Sequence, residues 1–193
     1  TLTPLQVDAF EELENLNCRA VSTGGEYLFV GLGSAPWGKL FRRNGNNFEF
    51  VANTPELGYP ARDSDISPGG NYLIACSAST ALHRVVLYEI IDNSIVELRT
   101  ISSSDVRAVG FSPSGERYFV AAGARLDIYK REGQTYNMEF QYIQTGDYGR
   151  VSSAAFVSDN SLVLLDGTGY TPRYTLRLFD YNMDTGNWDE TLS

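Results

Sequence analysis

Two side-chain chemistries stand out in this chain, aromatic rings and guanidinium groups, and both recur in its long polar stretches. Trp37 lies in Gly33–Gly38, Tyr59 and Arg62 in Asn53–Asp63, His83 in Ser77–Arg84, Arg107 in Ser102–Arg107, and Tyr148 and Arg150 in Gly146–Arg150. Aromatic residues and arginine carry much of the energy at protein interfaces, through large flat contact area and forked hydrogen bonding. These seven residues form the candidate partner-binding set. The other reading of Trp37, Tyr59 and Tyr148 is that they cover the ends of packed strands. A second grouping is charged: Arg62, Asp63, Asp65, Asp105, Arg107 and Arg150. Charges so spaced either pair across neighbouring elements or bind a polar ligand, and both readings stand at this point.

Catalytic chemistry finds less support. His83 is the only histidine, and no serine sits in a Gly-x-Ser-x-Gly setting, so a Ser-His-Asp arrangement is not expected. The paired carboxylates Glu11-Glu12 and Asp189-Glu190 lie near the ends of the sequence and read as solvated. Asp147 and Asp166 could join a calcium site, but no run of alternating acidic residues of the kind a calcium loop uses supports one. Gly31-Leu32-Gly33 and Gly167-Thr168-Gly169 follow apolar runs without a helical pattern behind them, which leaves phosphate cradling without its helix N-terminus. Cys18 and Cys76 are too few for a disulfide framework, and Cys76 falls in a small-residue slot that reads as packing. No catalytic residue, metal or cofactor is expected.

Composition narrows the partners. The chain has 193 residues, 42% of them hydrophobic and 12% aromatic, which is ample for a packed core. Asp and Glu outnumber Lys and Arg by 24 to 15, for a net charge of −9, and nucleic acid calls for the opposite balance. No apolar stretch is long enough to span a bilayer, so membrane insertion is not expected. The sequence opens at Thr1 rather than Met, and the lack of a leader pattern therefore leaves the compartment open.

The elements that position these residues repeat. Gly25, Gly70 and Gly115 are 45 residues apart, and Asn160 takes the fourth place. Each sits in a polar turn followed at once by an apolar run: Tyr27–Val30, Tyr72–Ala75, Tyr118–Ala121 and Leu162–Leu165. A short piece before each turn ends at Val21, Ile66, Phe111 or Phe156, a column expected to face the core. A third piece carries Leu40-Phe41, Leu87-Tyr88, Ile128-Tyr129 or Leu178-Phe179. Then come Asn44-Gly45, Asp92-Asn93, Glu132-Gly133 and Thr185-Gly186, types that tolerate positive φ in two-residue hairpins. The fourth piece starts at Phe48, Ile95, Tyr136 or Trp188. Four strands per repeat, rich in β-branched and aromatic residues, predict an all-β chain of four four-stranded antiparallel sheets over 17–193. Residues 1–16 form a lead-in, with Leu5–Leu16 a short helix or an extended segment. Thr3-Pro4 resembles Thr54-Pro55, as though an outer strand of a preceding unit ended there.

Phe111-Ser112-Pro113-Ser114-Gly115 with Tyr118-Phe119-Val120-Ala121, and Ile66-Ser67-Pro68-Gly69-Gly70-Asn71 with Tyr72-Leu73-Ile74-Ala75, resemble the repeat signature of WD40- and YVTN-type β-propellers. The likeness extends over about residues 17–192. It lacks the Trp-Asp pair, replaced by Phe41-Arg42, Tyr88-Glu89, Tyr129-Lys130 and Phe179-Asp180, and it lacks the Gly-His pair. The hairpins Phe41–Phe48 and Tyr129–Tyr136 are similar to repeats of prokaryotic and bacteriophage surface propellers. The resemblance implies a β-propeller whose long loops share one face. It also implies a non-enzymatic binding or structural role, foremost as a structural or adhesive component of a phage-like virion or cell surface. Partners would be protein, either copies of the chain or other assembly components, or glycan. A lactonase- or hydrolase-type propeller enzyme and an intracellular scaffold are the alternatives. Closure as a four-bladed disc, as a ring shared by two chains, or within a longer propeller all remain open, with completion by further protein favoured because an unclosed array leaves an apolar face bare.

Overall fold

The computed structural model describes residues 18–78, 83–103, 105–144, 149–168 and 174–192. The lead-in 1–16, with Leu5–Leu16 and Thr3-Pro4, lies outside them, as do Asp147 and Tyr148.

Each quarter of the sequence folds into its own antiparallel meander. The first sheet is β1 (Cys18–Gly24), β2 (Tyr27–Leu32), β3 (Gly38–Asn44) and β4 (Asn47–Asn53). The second is β5 (Ala61–Ile66), β6 (Tyr72–Ala78), β7 (His83–Ile91) and β8 (Ser94–Ser103). The third is β9 (Val106–Phe111), β10 (Arg117–Ala122), β11 (Arg125–Glu132) and β12 (Thr135–Ile143). The fourth is β13 (Gly149–Ser158), β14 (Ser161–Thr168), β15 (Tyr174–Asn182) and β16 (Asn187–Leu192). Among the described residues, no strand joins the sheet of another quarter. The expected all-β architecture of four four-stranded blades is the one observed.

The sheets stack in chain order because each strand alternates its side chains between two neighbours. On β6, Leu73 and Ala75 meet Phe29 and Leu40 of the first sheet, while Ile74 and Cys76 meet Tyr118 and Val120 of the third. On β10, Phe119 and Ala121 join Leu162 and Leu164 of the fourth sheet in the next interface. Each buried Leu or Phe side chain contributes about 1.5–3 kcal/mol, so the stack is held by many modest increments. Consecutive innermost strands pack side by side, β1 on β5, β5 on β9 and β9 on β13; β1 and β13 do not pack together in this way. The four blades make an arc.

The arc explains one departure from expectation. Ile66 and Phe111 are buried and Phe156 is half-buried, but Val21 is 65% exposed. Ile66, Phe111 and Phe156 all turn toward the preceding blade. Val21 holds the same place in the first blade, which has no preceding blade among the described residues. The hairpins hold a second departure. Asn44 pairs with Asn47, Ile91 with Ser94 and Glu132 with Thr135, giving two-residue turns. In the fourth blade Asn182 pairs with Asn187, so that loop has four residues. There Asn182 Oδ1 accepts the backbone N–H groups of Asp184 and Thr185, at 3.0 and 3.2 Å, and this side-chain turn replaces the tighter one.

Candidate functional site

In a four-stranded meander, the start of the innermost strand, the second-to-third-strand loop and the end of the outermost strand share one end of the sheet. Trp37, Tyr59, Arg62, His83, Arg107 and Arg150 all lie at that end. Tyr148 lies outside the described residues. The connection before β5 is firmly built. A 3-10 turn at Pro55–Leu57 sinks Leu57 into the core between the first two blades, with 0% exposure. Ser77 donates to the Leu57 carbonyl at 3.1 Å and Arg84 donates to that of Glu56 at 3.1 Å. Tyr59 and Arg62 thus leave a fixed base, both half-buried.

Trp37 packs against the core between the first two blades, half-buried and at φ 73°. An indole at positive φ is sterically uncommon, and here the packed ring holds it. Trp37 thus covers packed strands while remaining partly exposed at the loop end. His83 begins β7, half-buried, and its buried Nδ1 has no hydrogen-bond partner among the described residues.

The charged group resolves into two arrangements. Asp105, at φ 53°, receives Arg107 Nε at 3.0 Å and Nη2 at 2.7 Å on Oδ2, while Arg62 Nη1 approaches Oδ1 at 3.5 Å from the second blade. Burial alone would raise the Asp105 carboxyl, but the hydrogen bond and charge of Arg107, with the charges of Arg62 and Arg150, hold it below its ordinary value. Asp63 and Asp65 face elsewhere. Their Oδ2 atoms accept the backbone N–H groups of Val109 and Phe111 on β9, at 3.0 and 2.7 Å. They satisfy donors on the open edge of an innermost strand, which needs a partner when half-buried. Cys76 is buried opposite Asp63, its thiol pushed up to about 12 by burial and then by that carboxylate, so it is inert packing.

One residue of the site was missed by reading types and loops alone. Arg19, Arg62, Arg107 and Arg150 are each the second residue of an innermost strand, β1, β5, β9 and β13. Arg19 and Arg62 line one shallow depression of about 410 Å³ with Pro60 and Ala61. The signal in the sequence is the recurrence of arginine at 43, 45 and 43 residues, close to the glycine period. A larger cleft of about 550 Å³ lies at the opposite, short-turn end, between the hairpins of the first two blades. Its polar groups are paired with one another: Arg42 with Glu26 and Asn93, Asn44 with Glu49. Among the described residues, no three His, Cys, Asp or Glu side chains gather as a metal site would require. No helix there is long and apolar enough to cross a membrane.

No protein-family profile and no curated protein matches this chain. Solved structures do. Sqt1 of Saccharomyces cerevisiae superposes with a TM-score of 0.68 at 12% identity, over 90% of this chain and 46% of its own. Hsv2p of Kluyveromyces lactis gives 0.60 at 14% identity, over 90% and 59%. A protein of Bacteroides uniformis provisionally assigned as a 6-phosphogluconolactonase gives 0.60 at 11% identity, over 96% and 57%. These neighbours are β-propellers, and at such identities the likeness establishes the fold alone. The chain spans about half the length of the solved structures it matches.

Proposed function

We propose that this chain is a non-catalytic β-propeller module that works by docking a partner protein on its loop end, as a structural or adhesive part of an assembly. The observation that carries this reading is the gathering of Trp37, Tyr59, Arg62, His83, Arg107 and Arg150 at one end of four rigid sheets. Loops on a fixed scaffold are where binding residues concentrate. The Phe41–Phe48 and Tyr129–Tyr136 hairpins support a phage-like virion or a cell surface as the setting. The second reading, a hydrolase of lactonase type, draws on the structural likeness to the Bacteroides protein.

Two measurements test the proposal. Purified chain is incubated with a panel of lactones and aryl esters, with and without calcium, and no hydrolysis above a heat-denatured control is expected. Turnover that tracks this chain would overturn the non-catalytic half. Quantitative mass spectrometry of purified particles and surface fractions is expected to find the chain at fixed stoichiometry. Recovery solely from the cell interior, with none in either fraction, would overturn the virion or surface setting.

A further inference from the structure

We infer that the arginine row at the starts of the four innermost strands is a binding site for an acidic peptide, whose carboxylates are received by Arg19, Arg62, Arg107 and Arg150. This rests on the docking reading above and names the chemistry of the partner.

The row holds four guanidinium groups and one carboxylate set between two of them, Asp105. Arg107 is the only member that hydrogen-bonds Asp105; Arg62 stands at 3.5 Å. Arg19 and Arg150 are exposed and, among the described residues, neither stands within ion-pair distance of a carboxylate, though the charge of Arg150 reaches Asp105. Asp63, the next residue after Arg62, spends an oxygen on the Val109 N–H and is turned to the next strand. Among the described residues the row thus sets four guanidinium groups against the one carboxylate that pairs with its members, in a chain whose net charge is −9. Gathering like charges costs free energy, which Asp105 offsets for Arg62 and Arg107 and which a ligand anion would offset for the row as a whole.

Asp105 also indicates which anion. It already sits between two guanidinium groups of neighbouring blades, with one of them donating twice, and planar forks match a planar carboxylate. Arg19, Arg62 and Arg107 are each the bulge residue of their innermost strand, and Arg150 lies two residues ahead of the matching Ser152. These strands pack in order, so a ligand engaging all four arginines must be extended and carry several carboxylates. Elsewhere the chain repels such a ligand. At physiological salt that repulsion is screened beyond about 8 Å, while contacts at the row are not.

The test uses a fluorescein-labelled hexaglutamate peptide, with hexaglutamine as control, read by fluorescence anisotropy in about 150 mM salt. Saturable binding of hexaglutamate alone is expected, and raising the salt to about 500 mM should weaken it at least ~10-fold. The double variant Arg19→Gln/Arg150→Gln removes the two arginines without an ion pair and is expected to weaken binding at least ~10-fold with unchanged thermal unfolding. Arg42→Gln, at the opposite end, should bind as the parent does. No binding of hexaglutamate, equal binding of hexaglutamine, or full binding by the double variant would each overturn the proposal. Displacement of the peptide by sub-millimolar inorganic phosphate would reassign the row to phosphate and overturn it too. These failures leave the docking reading standing if the chain lacks turnover, whereas turnover removes that reading whatever the peptide does.

Discussion

Asp63 and Asp65 place two carboxylates on one innermost strand, each accepting a backbone N–H from the next blade. Burial raises both carboxyls above the ordinary value; the N–H bonds from Val109 and Phe111 oppose this only in part, as does the charge of Arg62 on Asp63. An acid raised in the folded state keeps its proton to higher pH there than in the unfolded chain. Stability from this pair therefore falls as pH rises above the ordinary Asp value. Asparagine keeps the accepting oxygen and removes the buried charge. The double variant Asp63→Asn/Asp65→Asn should match the parent within about 1 kcal/mol near pH 4 and exceed it at pH 7. Urea unfolding at the two pH values checks this, and a variant that gains nothing between them refutes it. The residue types here were legible in the sequence, but their use was not. Asp63 and Asp65 sit beside Arg62 in the chain and invite an ion pair; only the neighbouring strand, 46 residues on, reveals the N–H groups they serve. Arg19 failed to register for the opposite reason, since it lies in no long loop and only its repeat position marks it.

Neighbouring blades are locked at one structural position by different chemistry. Tyr72, which begins β6, meets Tyr136 of the next blade edge-on at 5.6 Å between ring centroids. Arg117 begins β10 and is 5% exposed. Its Nε and Nη2 hold Glu139 at 2.7 and 3.0 Å, its Nη1 donates to the Asp159 carbonyl of the fourth blade at 3.1 Å, and its guanidinium lies over Tyr181 and Trp188. Trp188 Nε1 closes the lock with a hydrogen bond to Glu139 Oε2 at 3.1 Å. Burial alone would raise the Glu139 carboxyl, but Arg117, Trp188 and Lys130 together hold it below its ordinary value. Arg117→Ala strands that carboxylate and should cost about 3–5 kcal/mol, while Arg117→Lys keeps a charge without the fork and should cost less. Denaturant midpoints rank the two, and equal costs would sink the account. A lowered carboxyl contributes stability above its ordinary value and loses it as pH falls, so Glu139→Gln should flatten the parent's decline below about pH 4.5. Strand number, order and most hairpins could be read from the 45-residue period. This lock could not, because Arg117, Glu139 and Trp188 belong to two repeats and three separate strands.

At the scale of the whole molecule, the faces of successive sheets are equivalent until the last. Val85 on β7 pairs with Cys76 and faces the third blade at 1% exposure. Leu176 on β15 pairs with Leu165 in the same way in the fourth blade, yet is 55% exposed. Val163, Leu165 and Leu178 beside it are only half-buried. The sequence shows the same apolar alternation in both places; what differs is that no other sheet among the described residues covers the fourth face. The contrast yields a paired test that needs no knowledge of any partner. Val85→Asp buries a lone carboxylate and should cost more than about 3 kcal/mol, whereas Leu176→Asp should change stability by no more than about 0.5 kcal/mol. Thermal unfolding by circular dichroism reads both. If Leu176→Asp is as costly as Val85→Asp, the fourth face is covered in solution and the open arc is not the state of the protein. A cost that grows with protein concentration would identify the cover as a second copy, because assembly then contributes to the measured stability.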